Sequence, residues 1–93
     1  MTRETLQSIL RAAEGLTDKA GAFRVPSEHR VTFYLGNEGR GIVVNEVEEI
    51  KLADDYLQLT APEPGQVFTP YAAVYAVSIK PPKPNAPKKA GFA

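Results

Sequence analysis

A single proline within residues 65–79, GQVFTPYAAVYAVSI, constrains the fold of this chain more than any other feature. Apolar and aromatic side chains on both sides of Pro70 predict two short strands, QVFT and AVYAVSI. Because proline has no backbone N–H to donate to a neighbouring strand, the chain has to leave the sheet at this residue. We therefore predict a single 3₁₀ turn at TPYAA between two short strands.

The segments before this region predict one helix and a connector. Apolar side chains recur at helical spacing over residues 3–16, and Thr2 precedes them as a candidate N-cap, with Thr5 as a later alternative. The connector that follows is rich in residues that break regular structure. Phe23 and Val25 in this connector are expected to pack on the core or to form a short edge strand.

From residue 30 onwards the hydrophobic pattern changes to the two-residue period of a β-strand. RVTFYL, IVVNEVEEIKLA and DDYLQLTA are each predicted to form one strand, and the glycine-rich GNEGRG is predicted to form the turn between the first two. The alternation of the second strand shifts its phase at Glu48 and Glu49, which predicts a β-bulge that bends the strand.

Five short, bent strands with a 3₁₀ turn between the last two are typical of SH3-like and Sm-like domains. We predict a mainly β fold in residues 1–80, with an N-terminal α-helix and a small five-stranded, strongly bent antiparallel barrel. Residues 81–93 contain four prolines and almost no apolar side chains. They are predicted to form a disordered, Pro/Lys-rich tail.

The composition argues against several classes of function. The chain has no cysteine and only one histidine, His29, which excludes thiolate metal sites and paired-histidine catalysis. No nucleophile–base pair or cofactor loop is recognisable, so we predict no catalytic residues, no metal site, no cofactor and no enzymatic activity. The chain lacks an apolar run of about 18 residues and a secretory signal, which predicts a cytoplasmic protein without a membrane partner.

The net charge of zero conceals an uneven distribution. Residues 79–93 carry four lysines and no acid, whereas the rest of the chain holds seven basic and eleven acidic side chains. An acidic domain repels phosphate, so attraction to nucleic acid has to come from the tail or from a local patch. The candidates are Arg40 in the GNEGRG turn and three lysines of the tail, Lys83, Lys88 and Lys89.

Several segments, taken in order, resemble the Sm-like fold and in particular the bacterial Hfq RNA chaperones. LQSILRA is similar to the N-terminal helix of that family, and VTFYLGN resembles the strand of its first Sm motif. DDYLQLT and QVFTPYAAVYAVSIKPP resemble the second Sm motif. The resemblance implies a ring-like homo-oligomer that contacts RNA, with Gln7 and Tyr34 at positions that contact RNA in the family.

This chain departs from the Hfq pattern ahead of its last strand. The family has a Tyr-Lys-His run there, which builds a uridine-binding pocket, whereas this chain reads FTPY at residues 68–71. We therefore expect RNA contact without a marked preference for uridine-rich ends.

The last two strands carry more apolar side chains than one small core is expected to bury. We predict that they form an oligomer interface through edge strands; its residues are Val67, Phe68, Val74, Tyr75 and Val77. The aromatic residues could also form a base-stacking surface, or be divided between the core and the interface. The alternative function is an SH3-like protein-interaction or assembly module without a role in binding nucleic acid.

Two pairs of neighbouring polar residues are weighed as binding sites. His29 and Arg30, ahead of the first β-strand, either contact a phosphate group or belong to a solvated loop. Asp54 and Asp55 are interpreted as residues that start a turn, since neighbouring side chains on a strand point to opposite faces and do not converge on one ligand.

Overall fold

The computed structural model describes residues 1–13, 15–37 and 40–80, with only the backbone described for Asn37 and Arg40. The predicted tail, residues 81–93, lies outside the described part of the chain. The described residues form one helix, eight strands and a 3₁₀ turn: α1 Arg3–Ala12, β1 Thr17–Lys19, β2 Ala22–Arg24, β3 Arg30–Asn37, β4 Arg40–Val44, β5 Glu49–Leu52, β6 Leu57–Thr60, β7 Gln66–Thr69, the 3₁₀ turn Tyr71–Ala73 and β8 Val74–Lys80.

The strands form two antiparallel sheets. One sheet has five strands in the order β1-β2-β5-β6-β7, and the other has three strands in the order β4-β3-β8. The prediction of a mainly β fold with one N-terminal helix is confirmed. The described residues contain eight strands rather than five, and no closed barrel is found among them, so the barrel stays a prediction.

The segment predicted as one long bulged strand is divided between the two sheets, and that prediction is wrong. It forms β4 in the three-stranded sheet and β5 in the five-stranded sheet. Between them, Glu46 adopts a left-handed backbone conformation with φ 56°. The next two amides then bond to different sheets, Val47 N–H to the carbonyl of Val31 and Glu48 N–H to that of Thr60. The phase shift in the sequence therefore marks a crossing between sheets.

The connector after the helix forms a β-hairpin that the hydrophobic pattern did not predict in full. β1 and β2 pair with each other, and β2 adds to the five-stranded sheet with Phe23 opposite Ile50. Phe23 is almost completely buried, as expected for a residue packed on the core. All three residues of β1 are exposed, so this strand has no alternation of apolar and polar side chains to reveal it.

Helix α1 begins at the predicted cap and ends earlier than predicted. The Oγ1 atom of Thr2 accepts a hydrogen bond from the Thr5 backbone N–H over 3.1 Å, which excludes the later start at Thr5. Ala13 is extended, so the helix stops at Ala12 rather than at residue 16. Leu16, beyond the helix, still packs against the core.

The hydrophobic core lies between α1 and the inner faces of the two sheets. Leu6 and Leu10 form the buried stripe of α1. Alternate residues of the strands supply the remainder, as the two-residue period requires. The large side chains that are almost completely buried are Leu6, Leu10, Phe23, Val31, Phe33, Val44, Val47, Ile50, Leu57, Leu59 and Val74.

Candidate functional site

The outer face of the three-stranded sheet carries an aromatic pair, in which Tyr75 is exposed and Tyr34 is half-buried. Burial of Val31, Phe33 and Leu35 on the inner face of β3 turns Tyr34 to the opposite face. There the ring of Tyr34 lies 6.2 Å from that of Tyr75 on β8, with an angle of 50° between the ring planes. This distance and tilt fall in the range of favourable aromatic contacts.

A β-bulge in β8 accounts for the position of Tyr75. Tyr34 pairs with Ala76, but the next residue of β3, Leu35, pairs with Val74, so Tyr75 has no partner of its own in the ladder. Val77, further along β8, packs against the core, so regular alternation would turn Tyr75 inward and Val74 outward. The extra residue reverses this: Val74 is fully buried and Tyr75 is 63% exposed. Bulges of this kind re-aim a side chain, and they are frequent beside functional sites.

Two aliphatic side chains of β4 extend the apolar surface next to the aromatic pair. Val43 lies directly across from Tyr34 in the β3–β4 ladder, and its neighbour Ile42 is 64% exposed. The aromatic face, which we define as Tyr34, Val43 and Tyr75, thus combines the half-buried ring of Tyr34 with the exposed side chains of Val43 and Tyr75. Flat rings at such a surface are suited to stacking on planar groups such as nucleobases.

A second aromatic pair, in which both rings are exposed, lies at the five-stranded sheet. The rings of Tyr56, which precedes β6, and Phe68 on β7 are 6.0 Å apart and inclined by 52°. Phe68 is 59% exposed because the inward positions of β7 are taken by Val67 and Thr69. The two pairs are therefore carried by different sheets.

The strands β7 and β8, which were predicted to form an oligomer interface, are both edge strands. β7 is hydrogen-bonded only to β6, and β8 only to β3, among the strands that the structure describes. Each therefore has one edge whose backbone N–H and C=O groups are not used in its sheet, which makes it a template for pairing with another chain.

The predicted interface residues divide into three groups. Phe68 and Tyr75 are exposed and accessible to a partner. Val67 and Val77 are partly buried against the core. Val74 is fully buried, which corrects its assignment to the interface: the bulge directs its side chain into the core of the subunit.

The residues predicted to contact RNA lie on separate elements. Gln7 is partly buried on α1, whereas Tyr34 belongs to the aromatic face. No hydrogen bond joins their side chains in residues 1–13, 15–37 and 40–80. The side chain of Arg40 and all of Lys83, Lys88 and Lys89 lie outside what the structure describes.

Tyr71, the first residue of the 3₁₀ turn after Pro70, has a structural role. Its phenol donates a hydrogen bond to the backbone carbonyl of Ala53. Burial raises the pKa of this phenol above its ordinary value of 10.0, and Asp54 adds to the rise, although the guanidinium of Arg3 acts in the opposite direction. This tyrosine is therefore held in its neutral, hydrogen-bonded form.

The described part of the chain shows no metal-binding cluster and no helix that could span a membrane. No group of three or more His, Asp or Glu side chains there is placed to hold a metal ion. The only described α-helix, α1, is too short to span a membrane. No protein-family model matches this chain, and no curated protein or solved structure shows significant similarity to it.

The aromatic face is the feature that the sequence predicted only in part. The alternation of β3 indicates that Tyr34 faces away from Phe33. The exposure of Ile42 and Val43 and the contact with Tyr75 depend on the register of three strands, which alternation within one strand does not reveal. The nearest signal in the sequence is the spacing of Val74 and Val77, which are three residues apart. In a regular strand such residues point to opposite faces, so both can point inward only if the strand contains a bulge.

Proposed function

We propose that this chain is a non-catalytic binding module of the Sm/Hfq-like kind, which forms a ring-like homo-oligomer and contacts single-stranded RNA. The observation that carries the proposal is the Tyr34–Tyr75 pair, in which the bulge in β8 leaves the ring of Tyr75 exposed beside the half-buried ring of Tyr34. Exposed rings on the face of a small β-sheet are a common platform for unpaired bases, and each stacked base contributes about 1–3 kcal/mol.

The charge required for RNA binding would come from the segment that follows the aromatic face. β8 carries Tyr75 and ends at Lys80, so the chain continues from the same strand into the residues that contain Lys83, Lys88 and Lys89. In this proposal the lysines supply attraction to phosphates that does not depend on sequence, and the rings supply contact to bases.

Self-assembly is supported by the two edge strands. β7 and β8 are consecutive in the chain and lie at the edges of different sheets. Pairing of β7 in one copy with β8 in the next is a head-to-tail contact, which generates a ring when the rotation between copies closes. The exposed Phe68 would be covered in such a contact.

The test is a fluorescence titration of labelled adenine-rich and uridine-rich oligonucleotides at two salt concentrations. We expect comparable binding of both, and weakening by roughly 1–3 kcal/mol in Tyr34→Ala if a base stacks on this ring. Tyr56→Ala is the matched control, since it removes an exposed tyrosine from the other sheet. Replacing Lys83, Lys88 and Lys89 by serine should make binding less sensitive to salt. The slope of log K against the logarithm of the salt concentration should become shallower by about 0.7 for each phosphate that a lysine neutralises in the parent protein.

Absence of binding to either oligonucleotide at low salt would contradict the RNA part of the proposal. The function would then be the second candidate, an SH3-like protein-interaction or assembly module. The specific observation that favours this candidate is the apolar surface at Ile42 and Val43 on a domain with more acidic than basic side chains, where a protein surface is a better partner than a polyanion.

A further inference from the structure

The outer face of the five-stranded sheet carries a group of exposed cationic side chains close to its β1 edge. Burial of Phe23 on β2 and of Ile50 on β5 turns their neighbours, Arg24 and Lys51, to this outer face. Lys19 of β1 completes the group, which we call the basic face. It is carried by a different sheet from the aromatic face.

The register of three strands places these cations around one small residue, Ala22. Lys19 lies directly across from Ala22 in the β1–β2 ladder, and Lys51 lies directly across from it in the β2–β5 ladder. Arg24 is two residues further along β2 and therefore on the same face. Since neighbouring strands are about 4.8 Å apart, all three side chains reach the space above Ala22.

A two-residue turn fixes this register. Ala20 and Gly21 join β1 to β2 with φ of 53° and 84°. Positive φ at both central residues is typical of the tight turn that matches the twist of a β-hairpin. All three residues of β1 are exposed, so this strand contributes little to the core, and its effect is to bring Thr17 and Lys19 to the outer face.

The small side chain of Ala22 leaves room for a ligand between these cations. A cavity of about 210 Å³ lies there, and the residues that line it are Thr17, Lys19, Ala22, Arg24 and Glu49. Its lining supplies two cations, one carboxylate and one hydroxyl group. Lys51, across from Ala22, brings the local net charge to plus two, on a chain whose residues before 79 hold more acidic than basic side chains.

The three cations are available to an anion. Neither Lys19 nor Lys51 takes part in a salt bridge within residues 1–13, 15–37 and 40–80. The guanidinium of Arg24 lies 3.8 Å from the carboxylate of Glu49, but the two side chains are 77% and 44% exposed. Exposed ion pairs of this kind are weak, so an anion can compete with Glu49 for the guanidinium.

We propose that the basic face binds the phosphodiester backbone of single-stranded RNA, with one phosphate over Ala22. Lys19, Arg24 and Lys51 donate charge-assisted hydrogen bonds to the phosphate oxygens. The hydroxyl group of Thr17, at the rim of the cavity, is a further donor. This inference rests on the RNA contact proposed above, and it adds a surface within the domain that the phosphates follow.

The open form of the site favours a strand over a free phosphate ion. Water and salt compete effectively for exposed cations, so a single anion is held weakly there. A strand brings several linked phosphates, and each lysine or arginine contact releases counterions and strengthens binding. Because the basic and aromatic faces are on different sheets, they contact different stretches of a strand.

A probe without bases separates the basic face from the aromatic face. The probe is a short abasic RNA backbone, compared with the same strand carrying uncharged methylphosphonate linkages. Binding to the full chain is followed by NMR, from the backbone amides of residues 17–24 and 49–51. We expect the charged strand to shift these signals in a saturable manner at low salt and the uncharged strand to leave them unchanged.

Two variants connect the effect to the charges and to the cavity. Lys19→Gln combined with Lys51→Gln should make the slope of log K against log salt shallower by about 1.4, or 0.7 for each phosphate that a lysine neutralises. Arg30→Gln, which removes an exposed cation from the other sheet, is the matched control and should keep the parent slope. Ala22→Leu keeps all the charges but fills the cavity, so it should reduce the shifts at residues 17–24.

Three results would overturn the inference. The first is the absence of saturable shifts at residues 17–24 and 49–51, even when the charged strand binds through the tail lysines. The second is an equal response to inorganic phosphate at the same phosphate concentration, which would assign the cavity to a free anion. The third is tighter binding of a glutamate-rich peptide, which would assign the basic face to an acidic protein.

The inference and the RNA proposal can fail separately. Base-containing oligonucleotides that bind without shifting these amides would contradict the basic face and leave the RNA proposal intact. Conversely, saturable shifts with the abasic strand, together with parent-like binding of base-containing oligonucleotides by Tyr34→Ala, would support the basic face and contradict base stacking on the aromatic face.

Discussion

The phenol of Tyr71 donates a hydrogen bond to the backbone carbonyl of Ala53 over 2.5 Å. This bond connects the 3₁₀ turn between β7 and β8 to the residue that follows β5. The N-terminal ammonium group of Met1 also donates hydrogen bonds to the carbonyls of Tyr71 and Val74, so the same region holds the segment that precedes α1. The turn after Pro70 is thus a junction of both sheets and the helix.

Removing the phenolic hydroxyl group of Tyr71 should destabilise the protein without changing its fold. Tyr71→Phe deletes one hydrogen bond to a backbone carbonyl, and we expect the free energy of unfolding to fall by about 0.5–1.5 kcal/mol. Urea denaturation followed by circular dichroism measures the change. Tyr75→Phe is the control, because its ring is exposed. An equal loss in both variants would contradict the structural role of Tyr71.

Tyr71 also predicts a loss of stability at alkaline pH. Its pKa is raised in the folded state, chiefly by burial, so the folded protein holds the phenolic proton more tightly than the unfolded chain. The resulting stability is complete below the ordinary pKa of 10.0 and is lost as the pH rises from there through the folded-state value. Urea titrations at several alkaline pH values should show a smaller decline in Tyr71→Phe than in the parent protein. Identical declines would contradict the prediction.

The packing of His29 on Gly15 predicts that a side chain at this glycine destabilises the fold. Gly15 has φ 94°, and an added Cβ would lie 2.2 Å from Nε2 of His29. Gly65 is a matched control, because its φ is 107° but no atom lies within 4 Å of an added Cβ. Thermal unfolding should show that Gly65→Ala loses roughly 1–2 kcal/mol from backbone strain alone, and Gly15→Ala clearly more. Equal losses would mean that the His29 ring moves aside without cost.

The unpaired edges of β7 and β8 predict that the protein associates with itself in a manner that depends on Phe68. Size-exclusion chromatography with light scattering should give a mass above that of one chain at micromolar concentration. Phe68→Asp should shift the protein toward the monomer, since it places a charge on an edge strand and removes an exposed ring. Tyr56→Asp is the comparison, because Tyr56 contacts Phe68 but precedes β6 rather than lying on an edge strand. A parent protein that elutes as a clean monomer would refute the prediction.

The parts of the fold that could be predicted from sequence are those set by local chemistry. The absence of an N–H on Pro70 predicts the end of β7 at Thr69 and the turn at Tyr71–Ala73, and both are observed. The cap at Thr2 is likewise confirmed. The position of β1 and the crossing at Glu46 were missed, because they depend on pairing with distant strands.

The candidate sites were predicted less well than the fold, for the same reason. Alternation along β3 correctly turns Tyr34 outward, but its contact with Tyr75 requires the shifted register of β8. The sequence marks His29 only as a neighbour of Arg30 ahead of the first predicted strand. Its close packing against Gly15 and the left-handed backbone of Glu46 depend on the folded chain, and no residue pattern in the sequence encodes them.

The order of strands in the three-stranded sheet has a consequence for how the protein is made. β3 is its central strand, but the partner on one side, β8, is the last strand of the described chain. During synthesis β3 and β4 are made before β8, so β3 lacks one of its two partners until residues 74–80 are available. Pairings between such distant segments form slowly, and an unpaired strand edge is prone to aggregation in the meantime. The incomplete chain therefore leaves open an edge of β3 that β8 covers in the folded protein.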